Sequence, residues 1–194
     1  MLNEKFIFLG LAIAALGSIK YLLETIKGKA KPNRVTFFLW ALAPLIAFAA
    51  EIKQGVGIQS LVTFWVGFSP LIILIASFVS NKSQWKLGTF DYICGALSLV
   101  GLMFWFITRV GNIAIIFAIL ADGLAAIPTI IKTYYHPETE SRWVYLTSAI
   151  FALLTLLTLI NWDFAYYSFP LYTIILNLII FSLAQFKIGK LRST

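Results

Sequence analysis

Long apolar runs alternate with short polar turns along the whole chain. A membrane-spanning helix needs about 20 mostly apolar residues, and seven stretches approach that length with few charges inside them. The turns between them hold residues that end helices, such as Gly55 and Gly57. The pattern therefore predicts an all-α membrane protein with seven transmembrane helices. The predicted spans are residues 6–26, 35–50, 58–80, 92–108, 111–131, 143–162 and 164–186.

The composition points to the same class of protein. Hydrophobic residues make up 60% of the 194 residues and charged residues 12%, whereas a soluble domain averages about 45–50% apolar and 25% charged residues. We therefore predict a multi-pass protein of the cell membrane, with the lipid bilayer as its first partner. The compact loops favour a bacterial inner membrane. The first apolar run is interpreted as a retained helix because Glu4 accompanies Lys5 before it, unlike a signal peptide.

The first three spans can be laid over the last three at a shift of about 108 residues. At this shift Thr25 meets Thr133, and Asn33 meets Ser141 as the predicted N-cap of the second helix of each copy. Span 4 stays unpaired, so both copies cross the membrane in the same sense. The chain is thus predicted to be a 3+1+3 parallel repeat of three-helix bundles. The predicted divisions are 1–80 for the first repeat, 81–110 for the linker helix and 111–194 for the second repeat.

The 15 Lys and Arg residues are unevenly divided between the two predicted sides of the membrane. Three of them, Lys5, Lys53 and Arg109, fall on one side, and twelve fall on the other. The positive-inside rule then places the N-terminus outside and the C-terminus in the cytoplasm. This topology explains the net charge of +7, so no nucleic-acid partner is predicted. The twelve are Lys20, Lys27, Lys29, Lys31, Arg34, Lys82, Lys86, Lys132, Arg142, Lys187, Lys190 and Arg192.

The motif AIPTIIKTY at residues 126–134 lies at the end of the first helix of the second copy and is followed by ETES at 138–141. With the 3+1+3 layout, this motif resembles the SWEET and PQ-loop transporter superfamily, whose first helix contains proline and leads by a basic exit into a polar loop. The resemblance covers nearly the whole chain in layout and about 20 residues in motif. The family's Pro-Gln pair is Pro128-Thr129 here. Bacterial nicotinamide riboside transporters resemble the same layout and stay an alternative within the transporter class.

The resemblance also implies substrate-binding residues. Family members that carry sugar use a Trp on the second helix and an Asn on the third helix of each repeat. Here Trp40 is paired with Ser148, and Asn177 is paired with Ser69, so one member of each pair is present. A buried amide such as Asn177 can equally bridge two helices, and small hydroxyls such as that of Ser69 are common at helix contacts.

Asp122 is the most informative single residue. It lies midway along span 5, about 16 Å of helix from its start. A carboxylate at mid-membrane is costly and usually faces a cavity or a partner. Small residues share its helix face, including Ala125 and Ala126, so the side chain should point inward. We interpret Asp122 as a substrate contact or a proton-titrating group, and the alternative is a structural carboxyl bonded to a neighbouring helix.

Aromatic and proline residues complete the candidate site. Trp40 and Trp65 lie within spans, where an indole can stack on a solute or pack against lipid and helices. Pro44, Pro70 and Pro128 lie inside spans 2, 3 and 5. Each removes one helix hydrogen bond and kinks its helix. They are predicted to be hinges, with static kinks as the alternative.

The sequence contains no catalytic or metal-binding constellation. Cys94 lies in an apolar run and His136 in a predicted loop, so we predict no enzyme activity, metal or cofactor. The leading hypothesis is a facilitated transporter that moves a small polar solute, sugar-like or nucleoside-like, by alternating access, with proton coupling through Asp122 left open. The alternative is a non-transporting seven-helix receptor, sensor or partner subunit. A homo-oligomer is an option for either.

Overall fold

The chain folds into α-helices joined by short turns. The computed structural model describes residues 2–3, 5–53, 60–108, 111–160 and 162–189. These residues form seven α-helices and one 3-10 turn, and they include no strand, which confirms the all-α fold class. The helices are α1 (Phe6–Ile26), α2 (Arg34–Lys53), α3 (Ser60–Val79), α4 (Thr89–Ile107), α5 (Gly111–Tyr135), α6 (Arg142–Leu157) and α7 (Phe164–Phe186), and the 3-10 turn is Pro137–Thr139.

Four helices of the described chain are long and apolar enough to cross a membrane. Large apolar side chains stand exposed on the helix surfaces, such as Leu16 at 68% and Phe106 at 74%, as lipid contact allows. These features support a helical membrane protein. The four candidate spans are Phe6–Ile26, Thr89–Ile107, Ile115–Tyr135 and Phe164–Phe186, and the shorter apolar segments are Arg34–Ala49, Thr63–Val79 and Arg142–Leu157.

The predicted helix bounds agree with the structure at both ends of α1 and of α7. Helix α5 continues past the predicted end at residue 131 and carries Lys132 in its last turn. Several predicted features lie outside the described residues: the turn at Gly55 and Gly57, the start of span 3 at residue 58, and the charges Arg109, Lys190 and Arg192.

The sixth span is shorter than predicted. Helix α6 ends at Leu157, so the predicted end at residue 162 is wrong. The hydroxyl of Thr158 donates to the Thr155 carbonyl at 2.8 Å. The N–H of Leu159 then donates to the Leu156 carbonyl at 3.2 Å, one of the shorter bonds that tighten the last turn of a helix.

The two predicted N-caps have different outcomes. Asn33 caps α2, because its Oδ1 accepts the N–H of Val35 at 3.1 Å and of Thr36 at 3.3 Å. These bonds satisfy two of the N–H groups that a helix start leaves free. Ser141 occupies the N-cap position of α6, but its hydroxyl forms no capping bond, so the capping role predicted for Ser141 is wrong.

The helices pack in pairs that recur along the chain. Helix α1 packs along α3 and α6, and α2 packs along α3. Correspondingly, α5 packs along α7, α6 packs along α7, and α2 contacts α5, while α4 packs against α5 and α2. The α1–α6 contact is close because α1 has glycine there. A Cβ on Gly17 would overlap the side chain of Thr147 and lie 3.1 Å from the Trp143 carbonyl oxygen.

The turns after α1, α3 and α5 meet at one end of the bundle. Lys31 donates its N–H to the Thr139 carbonyl at 2.8 Å, and the Ser83 hydroxyl donates to the Thr25 carbonyl. We call this the basic end, because these turns and the adjoining helix ends carry the Lys and Arg residues. The large buried side chains of the core also lie toward the basic end: Tyr21, Phe37, Ile73, Tyr145 and Ile180.

Candidate functional site

A cavity of about 300 Å³ lies between α1, α2, α3, α5, α6 and α7. We call it the central cavity, and its volume falls at the lower end of the range of about 300–1,000 Å³ for ligand pockets. All the side chains predicted to bind substrate line it: Trp40, Trp65, Ser69, Asp122 and Asn177. The fold therefore brings together residues that span more than two thirds of the sequence.

Asp122 has one hydrogen-bond donor among the described residues. The Tyr172 hydroxyl, on α7, donates to its Oδ2 at 2.7 Å. The indole of Trp40 lies beside the carboxylate, but its N–H forms no hydrogen bond. Asp122 thus lines a cavity and also bonds a neighbouring helix, so both interpretations drawn from the sequence describe its surroundings.

The cavity wall holds hydrogen-bond donors without partners. Within the described chain, the buried indole N–H groups of Trp40 and Trp65 have no acceptor. Buried donors are normally satisfied, so a group in the cavity that accepts hydrogen bonds would lower their cost. This is what a polar solute can supply.

Asn177 and Ser69 are held differently. The Asn177 amide donates to the Thr173 carbonyl of its own helix at 2.8 Å, a bond that does not bridge two helices. The Ser69 hydroxyl donates to that of Ser18 at 2.6 Å and so joins α3 to α1. Asn177 is therefore the better candidate for contacting a solute. Ser69 lines the cavity and also has a structural role.

Six pairs of cavity-lining residues stand 108 positions apart, at the shift that relates the two sequence copies. The earlier member of each pair is mostly aromatic or apolar, and the later member mostly carries a hydroxyl, an amide or a carboxylate. The wall is therefore chemically uneven between the two predicted copies. The pairs are Ala14 and Asp122, Phe37 and Tyr145, Trp40 and Ser148, Pro44 and Ala152, Trp65 and Thr173, and Ser69 and Asn177.

Prolines within the helices also shape the wall. Pro44 and Pro70 line the cavity, whereas Pro128 is buried in α5 and is not a lining residue. A proline leaves the carbonyl four residues before it without its helix partner. The carbonyl freed by Pro44 belongs to Trp40, itself a lining residue. Pro170 of α7 lines the cavity too; the sequence carried its signal, a proline inside an apolar run, but the prediction did not include it.

No protein-family model, curated protein or solved structure matches this chain. The resemblance to SWEET and PQ-loop transporters therefore stays a prediction from the sequence. The function has to be argued from the chemistry of the cavity and of the residues around it.

A buried charge cluster closes the basic end beside the cavity. Lys132 of α5 forms an ion pair with Glu140, and the two side chains are 1% and 0% exposed. The hydroxyls of Tyr21 and Tyr145 each donate to Glu140 Oε2 at 2.8 Å. We call these four residues the basic-end cluster. Because Tyr145 also lines the central cavity, the cluster forms its floor on this side.

The basic-end cluster was missed at the level of sequence. Lys132 was interpreted only as a charge that sets topology, and Glu140 only as part of a polar loop. A signal was available for Lys132, because it follows Ala125 and Thr129 at helical spacing on the face assigned to the buried side of α5. Nothing comparable marks Glu140, whose burial depends on how the turns meet.

The described residues include no group of three or more His, Cys, Asp or Glu side chains that could hold a metal ion. The chemistry that the cavity offers is therefore that of hydrogen bonds, aromatic faces and one carboxylate. This set can bind and orient a small molecule.

Proposed function

We propose that this protein is a transporter that moves a small polar solute across a membrane by alternating access. The observation that carries the proposal is the central cavity, where Asp122, Asn177 and Trp40 meet between apolar helices. Polar groups are costly inside a membrane and mark solute pathways. A cavity with unpartnered donors and a carboxylate has this chemistry, and facilitated transport of a sugar-like or nucleoside-like solute needs nothing more.

The architecture proposed with this function is a 3+1+3 parallel repeat of the SWEET and PQ-loop type. In it α1–α3 and α5–α7 are equivalent bundles related by an axis along the membrane normal, and α4 is the linker. The recurring helix pairs and the six equivalent pairs of lining residues support this arrangement. Transporters built from such repeats bind their solute at the repeat interface. In the proposed arrangement, the six pairs of lining residues lie at that interface.

We further propose that the basic end faces the cytoplasm of a bacterial cell and that the N-terminus lies outside. The division of Lys and Arg, three against twelve, supports this orientation. In the proposed cycle the basic-end cluster is the closed side of the cavity. Opening that side requires Tyr21 of α1 to separate from Glu140, and kinks at Pro44 and Pro70 would let their helices bend.

An uptake screen in proteoliposomes tests the proposal. Sugars, amino acids and nucleosides are offered to vesicles that contain the wild-type chain, the Asp122→Asn variant or the Glu24→Gln variant. Glu24 lies near the end of α1, outside the cavity lining, and serves as the matched control. We expect flux of at least one solute, lost in Asp122→Asn at unchanged folded yield and kept in Glu24→Gln.

Two other outcomes would contradict the proposal. If Asp122→Asn folds and transports as well as the wild type, the carboxylate does not contact the solute and the site proposed in the central cavity is wrong. If no solute in the screen is transported, and a protein partner binds tightly at a turn of the basic end, the receptor or partner-subunit alternative replaces the transporter.

A further inference from the structure

We propose that the central cavity binds a small organic monocation, with its charge beside Asp122 and its apolar body against Trp40 and Trp65. This inference rests on the proposed function and names the class of its solute. It differs from the sugar-like solute that the sequence resemblance suggests. The charge of the wall, the aromatic wall and the unpartnered donors support it.

The charge of the cavity wall is the first argument. Asp122 is the carboxylate among the described lining residues, and no Lys, Arg or His side chain lines the cavity with it. An ionised carboxylate away from water is costly unless it is paired. The hydrogen bond from Tyr172 compensates part of this cost. A solute with one positive charge compensates the rest, whereas a neutral sugar brings no counter-charge.

The aromatic part of the wall is the second argument. Trp40 and Trp65 both line the cavity, and Phe37 packs against Trp40 with ring centroids 5.5 Å apart. A cation over the face of a tryptophan is attracted by the ring, and the attraction is stronger when water is excluded. The wall that holds these rings also contacts the apolar body of an organic cation.

The third argument comes from the hydrogen-bonding groups. The indole N–H groups of Trp40 and Trp65 are buried without acceptors in the described chain. An oxygen on the solute would satisfy such a donor, and Ser148 and Asn177, which also line the cavity, offer further polar contacts. The class is therefore a compact cation that also carries a hydroxyl or carbonyl oxygen.

Equilibrium binding of matched probes tests the inference. Choline is compared with its neutral carbon isostere dimethylbutanol, and a methylpyridinium carboxamide cation is compared with neutral methylbenzamide of the same shape. Binding to the purified chain in detergent is measured by calorimetry. We expect the cation of at least one pair to bind about tenfold more tightly or better. Asp122→Asn should remove that difference and leave binding of the neutral probe unchanged, whereas Glu24→Gln, outside the cavity lining, should preserve the difference.

Three results would overturn the inference. The first is equal or tighter binding of the neutral member in both pairs. The second is a cation preference that survives in Asp122→Asn. The third is no detectable binding of either cation at millimolar concentration to protein that remains folded.

Uptake measurements separate this inference from the proposed function. Vesicles with an inside-negative potential are offered the same probes, because a transported monocation carries current and is accelerated by that potential. A cation that binds but does not enter overturns the transporter and leaves the solute class standing. Flux of a neutral sugar without any cation preference supports the transporter and overturns the monocation as its solute.

Discussion

Lys132 and Glu140 place opposite charges where almost no water reaches them. A buried ion pair gains little over well-packed apolar side chains, because desolvation offsets most of the attraction. Removing one partner is different, since the other charge is then left buried and alone. The pair is further tied to Tyr21 and Tyr145 through Glu140 Oε2, so its loss also disturbs the contact between α1 and α6.

We predict that Glu140→Gln lowers the free energy of unfolding by about 3–5 kcal/mol, because Lys132 loses its counter-charge. Thermal or denaturant unfolding in detergent measures the loss. Glu24→Gln, on α1 outside the basic-end cluster, should change stability by no more than about 0.5 kcal/mol. Replacing both charges while keeping an acceptor for the two tyrosine hydroxyls, Lys132→Met with Glu140→Gln, should recover most of the loss. If the double variant is as unstable as the sum of the single ones, the ion pair is not the cause.

At the scale of helices, close approach is set by glycine. Gly10 and Gly17 lie on the face of α1 that meets α6, and a Cβ on Gly10 would overlap the ring of Phe151. Helices in membranes associate through small residues that let their backbones come close. The contact between α2 and α5 uses hydroxyls instead: Thr36 donates to the Ala125 carbonyl at 2.7 Å.

We predict that Gly17→Ala destabilises the chain by about 1–3 kcal/mol, because its Cβ overlaps Thr147 in a packed contact. Gly123→Ala is the matched control, since a Cβ there comes no closer than 3.5 Å to the Tyr172 hydroxyl. The control should be neutral or gain up to about 1 kcal/mol from helix propensity. Melting temperatures in detergent compare the two. Equal shifts in both variants would contradict the prediction, and Thr147→Ala should partly rescue Gly17→Ala.

At the scale of the whole molecule, three turns meet at the basic end and the N-terminus lies at the other. The backbone N–H of Leu2 donates to the carbonyl of Leu157 at the end of α6 at 3.0 Å. The turn between α3 and α4 adjoins the α1–α2 turn through Lys82, which lies beside Gly28. A bundle with such distinct ends has one orientation that the charge rule favours.

We predict that Asn3 is reached from outside the cell and Gln84 only from the cytoplasm. Cys94 is the single cysteine, so Cys94→Ala gives a background for Asn3→Cys and for Gln84→Cys, both at exposed positions. A membrane-impermeant maleimide should label Asn3→Cys in intact spheroplasts and Gln84→Cys only after permeabilisation. The reverse pattern would overturn the proposed orientation. Labelling of both in intact cells would exclude an odd number of spans between them.

Much of the site could be predicted from sequence because polar residues inside apolar runs have few explanations. Asp122 and Asn177 stand out on that ground, Trp40 stands out as an indole within a span, and all three line one cavity. The limits of α1 and α7 were also predictable, since charged or polar turns bound them on both sides.

Other features depend on tertiary structure and leave no local signal. In the sequence Glu140 looks like the other polar residues of a loop, yet its partner Tyr21 is 119 residues away along the chain. Helix α6 ends at Leu157, although apolar residues continue beyond it in the sequence. Hydrophobic periodicity detects neither the burial of Glu140 nor the end of α6, because it carries no information on which groups meet in the folded protein.

Tyr145 belongs to two structures at once, since it lines the central cavity and its hydroxyl bonds Glu140. A solute that displaces Tyr145 would therefore link filling of the cavity to the ion pair. Linkage is reciprocal: the factor by which such a solute weakens the ion pair would equal the factor by which breaking the ion pair strengthens binding of that solute. In the proposed transporter, a single tyrosine would give the occupied cavity a thermodynamic means of loosening the basic end.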